Sequence, residues 1–170
     1  MAKRQRASQE RRAAVEERFM RRAIELARRG SLDLRAGGPF GAVVVMDGEV
    51  VGEGWNEVLR RRDPTCHAEM QAIRAAARRL RRFDLSGCEI YSSGEPCPMC
   101  AGAIHWARLD RVWYAASAAD LARHGGFDDR AFHAEVAKAP SRRRLPHQRL
   151  LREEAIVVCR AYVASGGGLY

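Results

Sequence analysis

Four residues in two short runs have the types and spacing to hold a metal and to work a proton beside it. His67 and Glu69 lie in Asp63-Pro64-Thr65-Cys66-His67-Ala68-Glu69, and Cys97 and Cys100 lie in Gly94-Glu95-Pro96-Cys97-Pro98-Met99-Cys100. Imidazole nitrogen and thiolate sulfur are zinc donors, and one His with two Cys leaves the fourth tetrahedral position open for water, as in catalytic sites. Zinc lowers the pKa of such a water to about 7, and Glu69 is placed to take its proton and pass it to a substrate. Glu69 is therefore read as an acid/base and not as a ligand. The competing reading is a structural zinc closed by Cys66 or His105. Structural sites usually show two paired ligand motifs, whereas here a single His pairs with Cys-x-x-Cys and a Glu stands beside it. A redox role for Cys97 and Cys100 would leave His67-Ala68-Glu69 unexplained.

The elements that must position these groups follow from pattern. Asp63-Pro64-Thr65 starts a predicted helix running to about residue 80, with Ala68, Ala72, Ile73 and Ala76 on its inner side. Pro96 and Pro98 lead into a second, over residues 97–107. First-turn side chains tilt toward the helix N-terminus, so His67 and Glu69 both reach the space beyond the helix mouth. Cys97 and Cys100 share a face, and the helix dipole favours their thiolates. Strands are predicted over residues 40–46, 49–55, 88–92 and 111–115, the first two joined by an Asp47-Gly48 hairpin turn and the second ending at Asn56. A helix over residues 9–29 puts Val15, Phe19, Ala23 and Leu26 on one face, with Gly30 as its stop. Residues 117–149 show little periodicity beyond a Gly125-Gly126-Phe127-Asp128-Asp129 turn, and an apolar pattern resumes over 150–164. Alternating strands and helices indicate an α/β domain layered on both faces of a sheet.

At 170 residues and 46% hydrophobic content, one domain over residues 9–164 is expected, with a loose basic tail at 1–8 and a glycine-rich tail at 165–170. No apolar run approaches the roughly 18 residues of a membrane span, and no signal region follows the basic start, so a soluble, cytoplasmic protein is expected. Five irregularly spaced cysteines suit metal binding better than a disulfide framework, leaving Cys66, Cys88 and Cys159 as spare thiols. The net charge of +9 comes from arginine clusters at 60–62, 78–82 and 142–144 and from the N-terminus. These are read as solvated faces, with nucleic acid kept as a less favoured partner.

Pro39-Phe40-Gly41-Ala42-Val43, Gly54-Trp55-Asn56 and the two runs above resemble cytidine-deaminase-like zinc deaminases, whose His-x-Glu and Pro-Cys-x-x-Cys signature this is. Gly37-Gly38-Pro39-Phe40, Trp106-Ala107-Arg108, Gly126-Phe127-Asp128-Asp129 and the terminal tyrosine are similar to bacterial guanine deaminases. The resemblance implies a three-layer α/β/α fold with a central mixed sheet, a Zn2+ cofactor held by His67, Cys97 and Cys100, and hydrolysis of guanine to xanthine and ammonia. It further implies Glu69 as proton shuttle, and Asn56 and the Ala68 amide on the base's polar edge. Phe40 and Trp106 would pack on the ring, and Asp129 would assist the leaving amine. Tyr170 would close the neighbouring pocket of a domain-swapped homodimer. Gly94 departs from the small polar residue or Cys usual before Glu-Pro-Cys.

Rival readings are a tRNA adenosine deaminase, a deaminase of another small amino-heterocycle such as cytosine or a triazine, and a zinc-stabilised RNA-binding module. Phe40, where tRNA deaminases tend to carry a small aliphatic residue, argues against the first, and intact Glu69 against the last.

Overall fold

The computed structural model describes residues 2–168, with side-chain surroundings from residue 14. Strand β1 (Gly41–Met46) pairs antiparallel with both β2 (Glu49–Trp55) and β3 (Cys88–Gly94), and β3 pairs parallel with β4 (Arg111–Ala116). The sheet order is β2-β1-β3-β4, the mixed sheet expected. Asp47 and Gly48 at the β1–β2 turn both have positive φ, 51° and 78°, the backbone that suits the twist of a two-residue hairpin.

Alternation along β1 builds the layers. Val43 and Val45 pack with Phe19 and Leu26 of α1 (Ala2–Arg28) and with Tyr91 on one face. Ala42 and Val44 pack on the other, with Ala68, Ala72 and Ala76 of α3 (Ala68–Leu80) and Ile104 of α4 (Pro98–Trp106). Period-2 side-chain direction in a strand requires this division. On β2, a Cβ on Gly54 would lie 2.5 Å from the Ala68 carbonyl oxygen, so glycine there lets the start of α3 sit directly on the sheet.

Local departures from the sequence pattern have physical causes. The first helix runs from Ala2, through residues expected as a loose tail, in keeping with the helix propensity of its Ala, Arg, Gln and Glu residues. Gly30 does not stop it: a π-helical turn continues over Arg29–Asp33, and Gly30 is buried where a Cβ would lie 2.7 Å from Trp55 Cδ1. Phe19, Ala23 and Leu26 are buried as expected, but Val15 is exposed. A short helix α2 (Val58–Arg61) precedes α3, which begins at Ala68 because Asp63 instead forms a turn, its Oδ1 accepting from the Thr65 N–H at 2.8 Å. Three residues, α5 (Ala118–Asp120), follow β4, capped by the Ser117 and Asp120 side chains.

The chain divides into two compact units, Met1–Arg130 and Ala131–Tyr170. Helix α6 (Arg130–Val136) starts at the boundary, and α7 (Arg152–Ala164) belongs to the second unit with Val157, Val158, Tyr162 and Val163 exposed. Among the described residues no helix is long and apolar enough to cross a membrane.

Candidate active site

His67 and Cys97 occupy equivalent places. Each is the residue just before its helix, α3 or α4, in extended backbone (φ −69°, ψ 158° and φ −64°, ψ 167°), and neither side chain caps its own helix. Both point beyond the helix mouth, and Cys100, three residues further along, joins them. Cys97 Sγ and Cys100 Sγ each lie 3.6 Å from His67 Nδ1, and the three donor atoms fall within 4.8 Å of one another. Bonds of about 2.0 Å to nitrogen and 2.3 Å to sulfur, opened to a tetrahedral angle, put those atoms about 3.6 Å apart. The residues present therefore fit zinc.

Charge in this cluster is tightly coupled. A hydrogen bond from Cys100 holds the Cys97 thiol down at about 4, with His67 helping, so that Cys97 favours the thiolate. Cys100 moves the other way, through its bond to Cys97 and its burial. The His67 imidazole is raised chiefly by its contact with Cys97, and the negative charges of Glu69 and Asp129 add to the effect.

Glu69, in the first turn of α3, is buried and engaged on both oxygens. Oε1 accepts from Ser92 Oγ at 3.2 Å and Oε2 from Cys100 Sγ at 3.4 Å. Burial raises its proton affinity, which suits a group that must carry a proton part of the time. Ser92, fully buried on β3, was not anticipated as a site residue.

A cavity of about 490 Å³ opens on these groups, lined by His67, Glu69 and Cys97 together with Phe40, Asn56 and Asp129. Asn56 is oriented by its surroundings: Oδ1 accepts from the backbone N–H groups of Gly38 and Val58, 3.2 Å each. Ala68 is the first residue of α3, where backbone N–H groups have no acceptor within the helix. Trp106, by contrast, ends α4 with its side chain 66% exposed and is absent from the cavity wall. The wall instead includes Leu121, Phe127 and Glu95, whose Oε2 accepts from the Ala118 N–H at 2.8 Å. Glu95 sits inside the Glu-Pro-Cys run and Phe127 inside the Gly-Phe-Asp-Asp run, whereas no local signal marks Leu121. Tyr170 lies outside the described residues.

Beneath the site, Glu57 is buried and ties the Asn56 segment to the start of α3. Its N–H donates to the Cys66 carbonyl at 2.9 Å, and its Oε2 accepts from Gln71 Nε2 at 2.5 Å and Arg61 Nε at 2.6 Å.

A three-layer fold with a His/Cys/Cys cluster at two helix mouths and a buried carboxylate beside it defines a zinc-dependent deaminase. The family model for the cytidine and deoxycytidylate deaminase zinc-binding region matches residues 13–116, and the chain belongs to that family. It is 48% identical to guanine deaminase of Bacillus subtilis over 130 residues, 76% of this chain and 82% of that protein. The solved structure of a Bacillus subtilis guanine deaminase superposes with a TM-score of 0.82 at 43% identity, covering 87% of this chain and 93% of the other. A tRNA-specific adenosine deaminase of Aquifex aeolicus is 46% identical over 88 residues, 52% of this chain and 56% of that protein.

Proposed function

We propose that this enzyme hydrolyses guanine to xanthine and ammonia. The observation that carries the reading is likeness to guanine deaminase along most of both chains, 82% of that protein, where the tRNA deaminase likeness spans 56%. His67, Cys97 and Cys100 would hold zinc, which when bound would supply a water activated for attack near neutral pH. Glu69 accepts a proton from the attacking water and delivers protons to the ring and to the departing amine at C2. Asn56, whose oxygen is committed to backbone, presents its NH2 to an acceptor on the base, and the Ala68 N–H offers a second donor. Phe40 packs on the ring, and Asp129, in the same cavity wall, assists ammonia in leaving.

We also infer that two copies of the chain assemble, with the C-terminal segment exchanged and Tyr170 over the partner's cavity. Support comes from exposed apolar side chains: Val112 and Tyr114 on β4, and Val157, Val158 and Val163 on α7. Zinc-binding thiols suit a reducing compartment, the cytoplasm, and the reaction belongs to purine metabolism.

The test is to incubate the zinc-loaded protein with guanine, adenine, cytosine and an adenosine-containing tRNA stem-loop, following ammonia release and product spectra. Xanthine from guanine alone is the expected result. Inosine in the stem-loop with guanine untouched would overturn the reading. Light scattering on the full chain reads the assembly, and guanine turnover by a chain lacking Leu169 and Tyr170 reads the part the tail plays.

A further inference from the structure

The cavity wall contains an aromatic residue to which the reaction assigns no task. The Phe127 ring centroid lies 4.9 Å from that of Phe40 at an interplanar angle of 78°, an edge-to-face pair. A tight turn holds it there: the Phe127 N–H donates to the Leu121 carbonyl at 3.2 Å, and Gly126 between them takes a left-handed φ of 73°. Leu121 lines the same cavity. Two glycines leave room for this convergence. A Cβ on Gly94 would lie 3.0 Å from Leu121 Cδ1 and 3.4 Å from the Phe40 ring, and one on Gly38 would lie 2.9 Å from Phe40 and 3.1 Å from Phe127. Gly94, the departure from the family pattern, thus lets Leu121 and Phe40 sit against the end of β3.

We propose that Phe127 is a specificity-determining residue, walling the cavity with Leu121 so that a bare purine base is accepted and a base substituted at N9 is refused. The inference rests on the guanine reading. C2 belongs to the six-membered ring and must face the metal ligands to be attacked, which turns the fused ring bearing N9 away from them, toward the apolar wall. A sugar at N9 meets two obstacles there. Phe127 and Leu121 occupy the space, and neither offers a partner to sugar hydroxyls that would lose water on entering.

The experiment measures kcat/KM for guanine, 9-methylguanine and guanosine with zinc-loaded wild type, Phe127→Ala, Phe127→Leu and Leu121→Ala, with zinc content and thermal melting read on each. Wild type should favour guanine strongly. Phe127→Ala should raise the ratio of 9-substituted to bare substrate by roughly tenfold or more, the scale on which small volume changes in apolar pockets discriminate. Phe127→Leu, which keeps much of the bulk, should raise it less. An unchanged ratio in a folded, zinc-replete Phe127→Ala, or wild type turning over guanosine as well as guanine, would overturn the inference and leave the guanine reading standing. If Phe127→Ala fails to fold, Leu121→Ala decides by the same criterion. Wild type inert toward guanine would defeat the guanine reading first, and the inference with it.

Discussion

Gly37 leaves the space that the Asn56 carboxamide fills: a Cβ at position 37 would lie 2.0 Å from Asn56 Oδ1. That oxygen is already held by the N–H groups of Gly38 and Val58, so the amide's NH2 end is the one turned to the cavity. Gly37→Ala should therefore displace Asn56 without touching the metal ligands. The expected outcome is a rise in KM for guanine of about two- to tenfold, the worth of one hydrogen bond, with zinc content unchanged. An unaltered KM would remove Asn56 from substrate binding.

Glu69→Gln keeps the shape of a buried side chain while removing its ability to take up and return a proton. Turnover should fall by about 10²- to 10⁴-fold, the usual contribution of a positioned acid/base, while metal analysis still finds zinc. Activity lost together with the metal would mean that Glu69 holds the site instead of moving a proton.

His67→Ala or Cys97→Ser removes one of three donors whose spacing already suits a tetrahedral ion. Both variants should purify with well below the about one zinc per chain expected of a single site, and chelation of wild type should abolish turnover and lower its melting temperature. Full zinc occupancy in either variant would point to another ligand set.

Stability at alkaline pH should carry the mark of Tyr91. Burial, the charge of Glu89 and the hydrogen bond that Tyr91 donates to Glu89 at 3.2 Å together raise its proton affinity in the fold. A raised folded pKa gives a contribution that is full below the unfolded value near 10 and is lost as pH climbs toward the folded one. Unfolding free energy should therefore drop above pH about 10, with a slope from this residue approaching about 1.4 kcal/mol per pH unit. Tyr91→Phe should flatten that decline in denaturant titrations at several pH values, and an identical slope in the variant would refute the assignment.

The metal site was legible because its information is local: His67 with Glu69, and Cys97 with Cys100, are set by spacing within single helical turns. The β1–β2 hairpin was legible for the same reason, Asp47-Gly48 being a turn signal between two adjacent strands. What escaped depends on distant partners. Phe127 matters through Phe40, far back in the chain, and Glu57 is buried because Gln71 and the Cys66 carbonyl come to meet it. Trp106, expected to pack on the ring, is largely exposed and outside the cavity wall, and its motif carries no sign of that exposure. Val15 belongs to the helical stripe, but periodicity does not show how far the sheet beneath it extends.

Among the described residues β4 is the last strand of the sheet, with Val112 and Tyr114 exposed, and an edge strand of this kind is a template on which other chains add. The arginine excess gives the molecule a strong mutual repulsion at long range. Colloidal behaviour should then depend on ionic strength: dilute buffer keeps molecules apart, whereas salt, by shortening the reach of charge to about 10 Å near 0.1 M, lets the open edge decide what associates.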